Sequence, residues 1–229
     1  MRDLLKAVIF DMDGVIIDSE PIYFEIERKS FGKFGLIIPE AEHHSFVGIT
    51  LEEMWHRIKS NYGLPHTVEE LLVFHKNQVI KQMSIQESLR PIDGVLDLIR
   101  ELREKGIKTA IASSSPVKLI DIILNKLDIK GYFDLVVSGE EVEKGKPEPD
   151  IFLKAARILS IKPSNCVVIE DSRNGIIASL EAGMPCIGFK NPNSGNQDLS
   201  KADKTISHFS EIDVNILNVI LEKRFSESS

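Results

Sequence analysis

The stretch Ala7-Val8-Ile9-Phe10-Asp11-Met12-Asp13-Gly14-Val15 constrains the fold more than any other part of the chain. A short run of β-branched and aromatic residues ends abruptly in paired acids and a glycine. Such a run reads as a strand buried on both faces of a parallel sheet. The acids then stand at its carboxyl end, where open α/β sheets receive ligands. Gly14 adopts backbone angles that other residues avoid, so the strand breaks there. Asp11 and Asp13 can then point in different directions, one toward a metal and a substrate, the other toward a leaving group. Taken alone, the pattern fits an acidic turn at a strand end equally well.

Beyond Gly14 the pattern is helical for a long way. Ser19-Glu20-Pro21 has the form of a helix start, with Ser19 as cap and Pro21 in the first turn. The first helix extends to about Phe34. Thr50-Leu51-Glu52-Glu53 and Thr67-Val68-Glu69-Glu70 read as capping boxes, the latter opening a helix that runs to about Gln86. Trp55 and Met54 read as core residues. The adjacent pair His43-His44 reads as part of a solvated loop, not a chelate. This predicts an all-helical cap over residues 16–89, inserted into an α/β core made of residues 1–15 and 90–229.

From Pro91 the rhythm alternates. Strands are predicted at Lys108–Ala112, Phe133–Val137, Cys166–Ile169 and Pro185–Phe189. Helices fall at Val95–Lys105, Pro116–Leu127 (capped by Ser115), Asp150–Leu159, up to Ala182, and Asp213–Arg224. Alternation of this kind implies parallel βαβ units, hence a doubly wound, Rossmann-like sheet. A net charge of -7 offers no basic footprint for nucleic acid. No apolar stretch reaches membrane-spanning length, and the N-terminal run is too short for a signal peptide. Cys166 and Cys186 lie beside apolar runs, without zinc-type spacing, and read as packing residues. A soluble cytoplasmic protein is expected, acting as a monomer, with no nucleic-acid or membrane partner.

The strand ends carry a consistent chemistry. The first bears Asp11 and Asp13. The second runs into Ser113-Ser114-Ser115 and a helix N-terminus. The third leads to a stiff loop with Lys146, and the fourth bears Glu170 and Asp171. Carboxylates suit a hard cation such as Mg2+. A hydroxyl with backbone amides at a helix start suits an anion, and a lysine neutralises remaining charge. Together these parts point to phosphate chemistry. Each has a plainer explanation alone: Ser113 as a cap, Lys146 as a solvated loop lysine, and Glu170-Asp171 as acids favoured at a helix start.

Asp11-Met12-Asp13-Gly14-Val15, Ser113, Lys146-Pro147 and Glu170-Asp171 resemble, in order, the motifs of the haloacid dehalogenase superfamily. Asp150-Ile151-Phe152 and Asn174-Gly175 are similar to its phosphatase and β-phosphoglucomutase branch. The resemblance spans nearly the whole chain. It implies that Asp11 is the nucleophile, forming an aspartyl phosphate, and that Asp13 is the general acid and then base. It implies that Asp11, the Asp13 carbonyl and Asp171 hold Mg2+, with Glu170 as ligand or support. Ser113, the Ser114 amide and Lys146 would bind the phosphoryl group. Substrate contacts are expected from the cap at Glu20, the Gly48-Ile49-Thr50 turn, and Lys76-Asn77.

The expected activity is that of a magnesium-dependent phosphatase of small phosphorylated metabolites, with sugar phosphates as the class. The rival on the same scaffold is a β-phosphoglucomutase. Tyr23 stands where mutases of this branch carry a histidine, and Leu51 where they carry an arginine, although Lys76 matches a mutase lysine. A signalling receiver domain shares the acids, hydroxyl and lysine. It would need an acceptor aspartate after the third strand, where Ser138-Gly139 stands instead, and has no place for a helical insert. The cap is expected to move as a lid, hinged near Val15–Asp18 and Ser88–Ile92.

Overall fold

A computed structural model describes residues 4–46, 49–87 and 89–227. The first strand, β1 (Ala7–Phe10), is followed by the helices α1 (Glu20–Lys33), α2 (Glu40–His44), α3 (Leu51–Tyr62) and α4 (Val68–Ile85). The chain then alternates: α5 (Val95–Glu104), β2 (Lys108–Ser113), α6 (Val117–Lys126), β3 (Leu135–Ser138), α7 (Asp150–Leu159), β4 (Cys166–Glu170), α8 (Arg173–Glu181), β5 (Cys186–Phe189), β6 (Lys204–Ile206) and α9 (Val214–Glu227). The strands form one parallel sheet of order β3-β2-β1-β4-β5-β6. The order reverses at β1, which pairs with β2 on one side and β4 on the other. The crevice at this switch point is where a doubly wound sheet binds its ligand.

Strand alternation explains the two core layers. Val8 and Phe10 of β1 join one layer with Ile99 of α5, Ile120 of α6 and Leu217 of α9. Ala7 and Ile9 face the other way, with Phe152 of α7 and Ile176 of α8. Both faces are covered, which is why β1 reads as a continuous apolar run. The helical insert has its own cluster around Phe31, Trp55, Ile58 and Leu71. It is also seated on the main core, because Val79 and Met83 of α4 and Ile26 of α1 belong to the first layer. The two connections to the insert meet. Ile17 bridges to Pro91, and the Ile92 amide donates to the Ile16 carbonyl at 2.8 Å. Ser88, expected to form part of a hinge, lies outside the described residues.

Several local expectations need correction. Strand β6 was not predicted: its three residues are Lys-Thr-Ile, an edge with only Ile206 buried, so no apolar run marks it. Helix α2 is too short to show a period. It makes His43 a buried residue, 3 % exposed, stacked on Phe24 at 3.7 Å and bonded through Nε2 to Glu27 at 2.7 Å, not a solvated one. The side chain of His44 lies outside the described residues. Thr67 and Glu70 form the full capping box, whereas Thr50 supplies its half by accepting from the Glu53 amide at 3.1 Å. Ser19 occupies the cap position of α1 without capping it. Ser115 does not cap α6 either. The N-cap position is Pro116, and the Val117 amide is taken by Glu140 Oε2 at 3.0 Å. The hydroxyls of Ser19 and Ser115 are employed elsewhere. Cys166 and Cys186 are buried and free, and burial pushes the Cys166 thiol up to about 12 and that of Cys186 up as well.

Candidate active site

Asp11 directly follows β1, and its amide continues the sheet by donating to the Ile169 carbonyl at 3.0 Å. Gly14 then turns the chain with φ 79°, a value that disfavours any side chain. Space demands glycine as well, because a Cβ there would overlap the Asp171 carboxylate. The acids of the β1 and β4 ends are thus packed against backbone. Gly175, in the first turn of α8, is required for a related reason: a Cβ would overlap the Glu170 carboxylate.

Lys146 reaches this point from the loop after β3. Its Nζ donates to Asp11 Oδ1 at 2.5 Å, to Glu170 Oε1 at 2.6 Å and to the Ala112 carbonyl at 3.1 Å. The other Glu170 oxygen accepts from the amide and hydroxyl of Ser172, both at 2.9 Å. Glu170 is therefore engaged at both oxygens and serves as the counter-ion that holds Lys146. Ser194 donates its hydroxyl to Asp171 Oδ2. Ser113 is buried and accepts the Ser115 amide at 3.1 Å, a local turn that winds the loop around its oxygen.

Asp13 is held by three hydroxyls. Ser19 and Tyr23 donate to Oδ1 at 2.7 and 2.8 Å, and Ser115 donates to Oδ2 at 2.8 Å. Ser19, Tyr23, Ser115 and Ser194 were not expected among the site residues. The two serines nearest helix starts look like caps in sequence, and only the Glu140 contact shows that the cap of α6 is supplied from elsewhere.

The electrostatics follow from crowding acids in a buried place. Burial, with Glu170 and Asp13 nearby, pushes the Asp11 carboxyl up to about 7 against the opposing pull of Lys146. Burial and the charges of Glu170 and Asp11 likewise hold Asp171 well above the usual range. Burial pulls Lys146 down, but the Asp11 and Glu170 charges outweigh it and hold the ammonium above its ordinary value. Several acids against one lysine leave a surplus of negative charge, which a divalent cation with a preference for oxygen would relieve. No group of three His, Cys, Asp or Glu among the described residues is arranged to hold a metal unaided. Mg2+ takes few protein oxygens and keeps water or phosphate in its remaining positions. Asp11, Asp171 and the Asp13 carbonyl would hold it here.

Asp11, Asp13, Ser113, Ser114, Lys146, Glu170 and Asp171 line one crevice of ≈ 450 Å³. A second chamber of ≈ 360 Å³ lies under the helical insert, and Glu20, Ile49 and Ser114 line both. Lys76 is on the wall of this chamber. Thr50 and Asn77 are exposed and stand outside both walls; Thr50 spends its hydroxyl on the start of α3. Gly48 lies outside the described residues.

The family model of the haloacid dehalogenase-like hydrolases matches residues 8–189. The chain belongs to this family. Among relatives of this haloacid dehalogenase-like chain is the phosphorylated carbohydrates phosphatase of Thermotoga maritima, 36 % identical over 187 residues, covering 79 % of this chain and 82 % of that protein. Hexitol phosphatase B of Escherichia coli is 30 % identical over 214 residues, covering 91 % and 94 %. The crystal structure of β-phosphoglucomutase from Clostridium difficile superposes with a TM-score of 0.78 at 25 % identity, covering 97 % of this chain and 99 % of that one. The α/β fold is that of the haloacid dehalogenase-like enzymes. No helix among the described residues is long and apolar enough to cross a membrane.

Proposed function

We propose that this chain is a magnesium-dependent phosphatase of small phosphorylated metabolites, with phosphorylated sugars and polyols as the substrate class. The observation that carries this reading is Lys146 Nζ, set between Asp11 and Glu170 in a crevice that also presents Asp13, Ser113 and Asp171. The names of the related phosphatases support the class of substrate.

In this mechanism an Asp11 carboxylate oxygen attacks phosphorus in line with the leaving oxygen. The bond from phosphorus to the leaving oxygen breaks, and Asp13 delivers a proton to that oxygen. An aspartyl phosphate remains. Asp13 then takes a proton from water, whose oxygen attacks phosphorus and releases inorganic phosphate and Asp11. Ser113, the Ser114 amide and Lys146 hold the phosphoryl oxygens throughout. Magnesium, when bound, supplies further neutralisation of phosphoryl charge. Asp13 must exchange its hydroxyl partners for the reacting oxygen. Two of these partners, Ser19 and Tyr23, belong to the start of the insert, so the position of α1 controls the freedom of the general acid.

A mutase reading draws on the β-phosphoglucomutase likeness and on Lys76, which stands on the chamber wall. Against it, Leu51 is on the same wall and offers no bidentate contact to a second phosphate. The test is a phosphate-release screen over phosphorylated metabolites with Mg2+, alongside β-glucose 1-phosphate with a trace of glucose 1,6-bisphosphate. Free phosphate, lost in Asp11→Asn, is the expected result. Fast glucose 6-phosphate formation with negligible free phosphate would establish the mutase instead.

A further inference from the structure

The chamber under the insert has a polar pair that the phosphoryl chemistry does not use. Glu27 of α1 and His75 of α4 both stand on its wall, among apolar neighbours such as Phe24, Met54 and Val79. Glu27 is held in place: its Oε2 is bonded to Nε2 of the buried His43, at 2.7 Å, and the His43 ring is stacked on Phe24. Its side chain remains 20 % exposed. His75 is 4 % exposed, and its Nδ1 has no hydrogen-bond partner. Buried polar atoms in native proteins are nearly always paired, so the fully buried, unpaired Nδ1 leaves this wall residue with hydrogen-bonding capacity that the protein itself does not use. Burial lowers the proton affinity of His75, with Glu27 opposing. A neutral imidazole offers one N–H donor and one acceptor. Glu27 as a carboxylate offers acceptors alone.

The balance of charge on the wall narrows the ligand further. Glu20 and Glu27 contribute acids, and Lys76 is the cation among the described lining residues. Burial, with Glu27 and Asp13 nearby, pushes the Glu20 carboxyl up to about 7, so a second phosphate or a carboxylate entering here would meet a site that already disfavours added negative charge in a largely apolar setting. A neutral group bearing hydroxyls would meet an anchored acceptor and an unsatisfied imidazole.

We propose that Glu27 and His75 are a specificity pair that reads hydroxyl groups on the leaving alcohol, selecting monophosphates of uncharged sugars or polyols over bisphosphates and phosphorylated carboxylic acids. This rests on the phosphatase reading and deepens it. It moves the recognition of the leaving group from Thr50 and Asn77 to residues whose sequence context, an interior position in each of two helices, gave no sign of it.

The experiment compares kcat/KM for sorbitol 6-phosphate, glucose 6-phosphate, glucose 1,6-bisphosphate and p-nitrophenyl phosphate in the full chain and in two variants. Glu27→Gln retains an oxygen for His43, and His75→Phe keeps the shape of the ring. The two lie on different helices, and thermal melts verify folding of each. The expected result is a fall of roughly 10- to 100-fold in the ratio of polyol monophosphate to p-nitrophenyl phosphate turnover, as for loss of a hydrogen bond to a charged or buried partner. Glu27→Gln should also narrow the discrimination against the bisphosphate. An unchanged ratio in both folded variants overturns the proposal while leaving the phosphatase reading intact. A wild-type chain inert toward every substrate, p-nitrophenyl phosphate included, overturns both.

Discussion

Replacing Lys146 by methionine should destabilise the protein in a manner that depends strongly on pH. The Lys146 side chain is 6 % exposed, and its partners Asp11 and Glu170 are 9 % and 1 % exposed. Methionine fills similar space but leaves two buried carboxylates without their cation. Removing one partner of a buried pair costs ~3–5 kcal/mol. At 2–4 °C per kcal/mol for a chain of this size, that lowers Tm by roughly 6–20 °C. The sign of the pH dependence follows from linkage. Asp11 already has a folded-state value of about 7, with Lys146 restraining it, so losing the lysine moves it higher. A carboxyl whose folded pKa exceeds its unfolded value favours folding most at low pH, where both states are protonated. That advantage is lost as pH rises from the unfolded value toward the folded one. The Lys146 ammonium is held above its ordinary value, so its own titration lies beyond this window. Melting curves of wild type and Lys146→Met in chelator, at pH 8 and pH 5, provide the assay. The gap in Tm should be largest at pH 8 and fall to less than about half at pH 5 as the orphaned Asp11 carboxylate takes up its proton. A gap of equal size at both pH values would refute the buried-charge argument. So would a loss at pH 8 below ~1 kcal/mol.

Gly14→Ala places a side chain at φ 79° and pushes its Cβ into the Asp171 carboxylate. The Mg2+ concentration for half-maximal activity should rise roughly 10-fold or more, as when a metal ligand loses its support, and an unaltered requirement would refute the packing argument. Asp171→Asn should raise the Mg2+ requirement more than Glu170→Gln, whose main effect should be on stability through Lys146; the reverse order in a metal titration would exchange their roles. Tyr23→Phe removes one of three hydroxyls on Asp13, and kcat should change more than KM; a pure KM effect would place Tyr23 in substrate binding instead.

The core was legible because its signals are short-range. The four strands that bring candidate site residues together are compact apolar runs, and the candidate acids stand at or just beyond the ends of β1 and β4, so the positions of Asp11, Asp13, Glu170 and Asp171 could be read without knowing the pairing order. The insert was legible as helical through its caps, and Thr67 with Glu70 behaves as its sequence suggests. What escaped has a common physical cause: the deciding partner lies far away along the chain. Ser115 is a plausible cap until Glu140, from beyond β3, takes the α6 amide and frees its hydroxyl for Asp13. His43 looks like a surface residue until α2 lays it on Phe24 and Glu27.

The loop after β5 extends this reasoning to the site as a whole. Asn191 Nδ2 donates to the Gly14 carbonyl at 3.1 Å and to Asp18 Oδ1 at 3.3 Å. Asn193 donates to Asp18 Oδ2 at 2.6 Å, and Ser194 donates to Asp171. A single polar loop thus ties the turn after the Asp11–Asp13 pair, the first connection to the insert and the acid just after β4 to one another. No composition or periodicity marks it, since Asn, Pro and Ser in a loop ordinarily signal only a turn. Its hydrogen bonds satisfy the backbone at the Gly14 bend and orient a carboxylate that burial would otherwise leave poorly solvated. Displacing this loop would therefore disturb Asp171 and the Asp18 connection together. In this architecture the start of the insert is coupled to the acids twice, through Ser19 and Tyr23 on Asp13 and through Asp18 on the loop that holds Asp171.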